Sequence, residues 1–184
     1  MMRVPVVVVW KPFPETKQMA LADMKKPSNK SSRMPSWQII TARVVPGHRV
    51  ASGQNGDPRF PGGTLRMQVP FFKSLGLELA VYHPATVNVS IAPCAYRVVQ
   101  ARHTFANVRW HPVEPAEDFS FFDVRLIHPG QPPLAGLVYF PHPETKPEHF
   151  QQPDTLELLL PFVEGLHYGM ELHLAIPAEQ MAIF

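Results

Sequence analysis

Residues 170–176 read Met170-Glu171-Leu172-His173-Leu174-Ala175-Ile176, and the fold is read outward from this alternation. Met170, Leu172, Leu174 and Ile176 fall on one side of an extended chain, and Glu171, His173 and Ala175 on the other. Successive side chains of a strand point to opposite faces, so this segment is a strand with one face in a core. Working back towards the N-terminus, strands are expected at 134–140, 119–127, 105–110, 95–101, 86–92, 77–82 and 37–45. Thr64-Leu65-Arg66-Met67-Gln68-Val69 also alternates and reads as a half-buried strand. Two short helices are expected between the strands. Pro70 to Leu75 begins with a proline suited to a first helical turn and stops at Gly76. Asp154-Thr155-Leu156-Glu157 has the spacing of a capping box, with Pro161 ending the segment.

Composition limits how these pieces can be joined. The chain has 22 prolines among 184 residues, which breaks it into short elements with frequent turns and excludes long helices. Many short strands and no strand–helix–strand rhythm point to a mostly β fold, a barrel or sandwich, occupying residues 37–184. Residues 1–36 differ in character. They hold seven Lys/Arg against Glu15 and Asp23, and residues 25–33 are polar and without periodicity, so this basic segment is expected to be flexible. One reading starts the natural chain at Met34. The other keeps residues 1–33 as an appendage whose Val6-Val7-Val8-Val9 pairs as an edge strand. Mass spectrometry of the natively expressed protein separates them.

The charge lies in that segment. Residues 37–184 carry ten basic and thirteen acidic side chains, so the expected barrel is net acidic and unlike a surface that binds nucleic acid. No apolar run reaches the ~20 residues of a membrane span. The single cysteine, Cys94, leaves no internal disulfide and reads as a buried thiol in a cytoplasmic protein. A small molecule is the expected partner.

Three sets of residues carry possible chemistry. Four histidines precede prolines, at His83, His111, His128 and His142, and a His-rich barrel raises the possibility of a metalloenzyme. No His-x-His pair occurs, however, and His-Pro pairs suit turns. The loop Gly53-Gln54-Asn55-Gly56-Asp57-Pro58 offers glycines that let backbone N–H groups approach a phosphate, though Asn-Gly and Asp-Pro are also plain turn formers. Thr86 and Asn88 are two apart on an expected strand, so a hydroxyl and a carboxamide face the same way. Both are hard oxygen ligands suited to Mg²⁺.

Taken in order, these pieces resemble the archaeal CTP-dependent riboflavin kinases. Arg49-Val50-Ala51-Ser52-Gly53-Gln54-Asn55-Gly56 is similar to that family's V-x-S-G strand end and glycine-rich nucleotide loop. Lys73-Ser74-Leu75-Gly76 and then Ala85-Thr86-Val87-Asn88 resemble its Leu-Gly followed by G-T-L-N. Leu156-Glu157-Leu158-Leu159-Leu160-Pro161 and Leu166-His167-Tyr168-Gly169-Met170-Glu171-Leu172 are similar to its later segments. The resemblance, running from about Ile39 to Ile176, implies a small six-stranded cradle-loop barrel with one or two short helices. It implies phosphoryl transfer from a nucleoside triphosphate to a flavin-type acceptor, riboflavin giving FMN. It further implies Mg²⁺ on Thr86 and Asn88, nucleotide contacts at Gly53, Gln54, Asn55 and Gly56, and flavin contacts at Thr145 and Glu157. The chain departs from the family at Ala85, Asn55, Asp57 and Pro58, and Phe162-Val163-Glu164-Gly165 lacks the family's basic nucleotide contacts. A barrel that binds flavin or nucleotide without turnover is the alternative reading.

Overall fold

A computed structural model describes residues 36–146, 148 and 152–184. The expectations for residues 1–35 lie outside the described residues. The strands are β1 (Trp37–Val44), β2 (Val87–Ser90), β3 (Tyr96–Val98), β4 (His103–Val108), β5 (Glu117–Ile127), β6 (Leu134–Pro141), β7 (Thr155–Leu159), β8 (Glu171–Pro177) and β9 (Met181–Ile183). One helix, α1 (Thr64–Ser74), lies in the long connection between β1 and β2.

The sheet runs β5-β6-β7-β2-β1-β8 and returns from β8 to β5, closing an antiparallel barrel of six strands. β4 extends it beside β5, and β3 pairs with β9 in a separate ribbon. Closure removes the free edges that an open sheet would expose. Strand alternation then sorts the side chains. Leu172, Leu174 and Ile176 point into the barrel with Val89, Leu156, Leu158, Phe122, Val124 and Val138. The outer face of β5 and β6 carries Phe119, Phe121, Leu137 and Tyr139, which form a second core with Leu65 and Phe72 of α1. The ring of Phe72 meets Phe119 and Phe121 edge-on, at centroid distances of 5.2 and 5.0 Å. The helix therefore roofs one flank of the barrel.

Three expectations need correction. Residues 64–69 are not a strand but the first half of α1. Leu65, Gln68 and Phe72 recur at helical spacing and are the buried positions, and this stripe outweighs the short alternation. The helix runs through Pro70 without a break. The helix expected at Asp154 is instead β7: Leu156 and Leu158 face the barrel core, and register with β2 and β6 fixes the segment as a strand. Asp154 accepts a hydrogen bond from the Ser90 hydroxyl at 2.8 Å rather than capping a helix. Residues 77–82 form no strand: 77–79 are irregular and 80–82 turn, with Leu77 and Leu79 buried in the core that includes Leu65 and Phe72 of α1.

Candidate functional site

The outer face of the barrel brings together residues that are far apart in sequence. In the pairing of β2 with β7, Asn88 stands opposite Glu157; in that of β7 with β6, Glu157 stands opposite Tyr139; Tyr139 in turn opposes Phe121 on β5. Directly opposed residues have Cβ atoms about 5 Å apart, so Asn88, Glu157 and Tyr139 form one continuous row. Asn88 and Glu157 are buried, at 7% and 8% exposure. The connection from β1 folds over this row and leaves a cleft with two lobes.

Thr86 and Asn88 belong to the wall of both lobes, as do Arg49 and Ala51. The wider lobe, about 430 Å³, lies between residues 44–54 and Leu166, His167 and Tyr168. The narrower, a slot of about 80 Å³, is walled by Phe60, Trp110 and Tyr139, with Gln68, Glu117, Glu157 and Lys146 around it. Among the described residues, neither the Thr86 hydroxyl nor the Asn88 carboxamide has a hydrogen-bond partner, so two neutral oxygen donors remain available. They fit the Mg²⁺ site that the resemblance implies, since that ion takes few protein ligands and keeps waters.

Two polar side chains of the slot are held by aromatic neighbours. The Tyr139 hydroxyl donates to Gln68 Oε1 at 2.9 Å, and Trp110 Nε1 donates to Glu117 Oε1 at 3.1 Å. Burial pushes the Glu117 carboxyl above its ordinary value, against the lowering influence of the indole hydrogen bond and Lys146. Burial also raises the Tyr139 phenol well above its usual value, and Glu157 and Glu117 act in the same direction. Lys146 Nζ lies 3.7 Å from Glu157 Oε1. At the rim, Arg59 pairs with Asp57 at 2.8 Å, Glu148 at 3.1 Å and Glu114 at 3.3 Å, tying three loops together.

The remaining sequence candidates fall differently. Gln54 lines the wide lobe, but the loop's N–H groups are spent locally. Those of Gly53, Gln54, Asn55 and Gly56 go to Val50 O, Ser52 Oγ, Arg49 O and Gly53 O. Gly53 has φ +73°, and a Cβ there would lie 2.5 Å from the Gly63 N, so tight loop packing suffices to require glycine. Thr145 lines neither lobe. Its hydroxyl accepts from the Asp118 N–H at 2.8 Å and donates to His142 O at 3.3 Å, and its neighbour Lys146 reaches the cleft instead. The histidines before prolines serve the turns: His111 Nδ1 accepts from the N–H groups of Val113 and Glu114, and His142 bonds Ser120 at 2.8 Å. Among the described residues no group of three His, Cys, Asp or Glu is placed to hold a metal. No helix among them is long and apolar enough to cross a membrane.

Sequence reasoning missed Arg49, Arg59, Gln68, Trp110, Glu117 and Lys146. For Gln68 a signal exists, a polar residue on the apolar stripe of a helix, but the alternation of residues 64–69 masks it. No known protein family matches the chain, and no curated protein matches it.

Proposed function

We propose that this chain is a riboflavin-kinase-like protein that transfers a phosphoryl group from a nucleoside triphosphate to a flavin-type acceptor. The observation that carries the reading is the shared wall: Thr86 and Asn88 border both lobes, where one ligand on each side would meet at a bound cation. The aromatic slot suits a planar ring, and the wide lobe with Arg49 suits a nucleotide. Bound Mg²⁺ would offset charge on the transferring phosphate. Thr86 and Asn88 would hold it, Glu157 would orient the acceptor hydroxyl beside it, and Arg49 would meet donor phosphate oxygens. Phosphoryl transfer rests on positioning and charge neutralisation, and a cleft between rigid strands supplies the first.

A second reading, a barrel that binds such ligands without turnover, is favoured by the engaged N–H groups of residues 53–56 and by Arg59 and Lys146 already facing carboxylates. Calorimetric titration with riboflavin, FMN, CTP and ATP in the presence of Mg²⁺ tests both. Binding of riboflavin and a nucleotide together, weakened in Asn88→Ala, supports transfer. Binding of a flavin alone supports the second reading. No binding of any of the four defeats both.

A further inference from the structure

We infer that the slot reads the imide edge of a planar heteroaromatic ring, with Glu117 Oε2 accepting from a ring N–H and Gln68 Nε2 donating to the adjacent ring carbonyl. This deepens the flavin reading above and rests on it. Both side chains are more than nine-tenths buried, Gln68 at 2% and Glu117 at 7% exposure, and both line the slot. Each is fixed at one end by an aromatic partner. Tyr139 Oη occupies Gln68 Oε1, which turns the amide N–H₂ away from it; Trp110 Nε1 occupies Glu117 Oε1, which leaves Oε2. Neither Gln68 Nε2 nor Glu117 Oε2 has a partner among the described residues. The same slot therefore presents one fixed donor and one fixed acceptor between aromatic walls.

Among the described residues no buried side-chain polar atom lacks a partner, so these two atoms open onto the slot, where a ligand with the complementary pair can meet them. A carbonyl next to an N–H on a flat ring supplies that pair. On an isoalloxazine the only ring donor is N3–H, flanked by two carbonyls, so N3 is the atom that faces Glu117. The carboxylate is the suitable acceptor, because a hydrogen bond to a charged group is stronger than one between neutral groups. The ribityl chain leaves from N10 of the central ring, and Thr86 and Asn88 on the same slot wall are where its hydroxyls would run.

The test compares riboflavin with 3-methylriboflavin, whose N3 carries no hydrogen, by calorimetry or flavin-fluorescence titration on the full chain and on Glu117→Gln. The intact protein is expected to bind riboflavin at least ~10-fold more tightly than the methylated ligand. Glu117→Gln, whose outward group is an N–H₂, is expected to bind both within about twofold, since no acceptor remains to discriminate. Equal binding of the two ligands by the intact protein overturns the inference and leaves the flavin reading standing. Equal discrimination by the intact protein and Glu117→Gln overturns it also, because the methyl group would then be excluded by shape alone. Failure of riboflavin itself to bind overturns the flavin reading and this inference with it. The comparison on the intact protein stands even where the variant folds poorly.

Discussion

Substitution of Gly47 by alanine moves one candidate metal ligand without touching its chemistry. A Cβ at Gly47 would lie 2.6 Å from both Cγ and Oδ1 of Asn88 and 2.8 Å from its Nδ2. Unstrained contacts sit near 3.5–4.0 Å, so the carboxamide must retreat by about 1 Å. The backbone cannot absorb that shift. Asn88 is held in register with Glu157, and its carbonyl accepts the Val45 N–H at 2.9 Å. The side chain must turn instead, at an off-rotamer cost of about 0.5–1.5 kcal/mol. Removing a glycine from the unfolded chain returns about 0.4–1 kcal/mol, and Gly47 is not in the left-handed region, so net stability should hardly change. Activity should fall far more, because a displacement of about 1 Å at a reacting centre costs on the order of 100-fold. The assay is Mg²⁺-dependent nucleotide binding and turnover for the wild type, Gly47→Ala and Asn88→Ala, with thermal melts alongside. Gly47→Ala should resemble Asn88→Ala in function and the wild type in melting temperature. Wild-type Mg²⁺ dependence in a folded Gly47→Ala would refute the role given to Asn88.

Arg49 has φ +59°, a region costing a non-glycine residue about 1 kcal/mol, so Arg49→Gly should keep or raise stability while weakening nucleotide binding by about tenfold, read by melting and calorimetry. Phe72→Ala empties a fully buried position between α1 and the rings of β5, and should cost about 3–5 kcal/mol in urea denaturation. The Glu117 carboxyl is raised in the folded state, so the folded protein holds its proton more tightly than the unfolded chain. Stability from this group is therefore full below the unfolded carboxyl value and falls as pH rises through the raised one. Glu117→Gln should flatten that decline in melting temperature against pH.

The strand at 171–177 was legible because its apolar residues alternate over a length no helix could mimic, and the barrel class followed from repeated strands of that kind. Thr64–Val69 was not, because Leu65, Met67 and Val69 satisfy a period of two while Leu65, Gln68 and Phe72 satisfy a helix; only the roofing of β5 and β6 decides between them. Asp154-Thr155-Leu156-Glu157 carries a capping signature that local sequence cannot distinguish from a buried strand. For the site, Thr86 and Asn88 were visible as residues of suitable chemistry, whereas Glu157 read locally as part of a helix cap and gained a site role only through the resemblance. Their common place depends on Asn88 opposing Glu157, a register set by barrel closure and written in no local pattern. Glu117 and Trp110 escaped notice for the same reason, since a buried carboxylate is recognised by what surrounds it.

Phosphoryl transfer itself is tested most directly by incubating the protein with riboflavin, CTP and Mg²⁺ and separating the flavins by chromatography. FMN and CDP should form in equal amounts, and both should be lost in Asn88→Ala. Riboflavin and CTP recovered unchanged from a folded protein would contradict phosphoryl transfer.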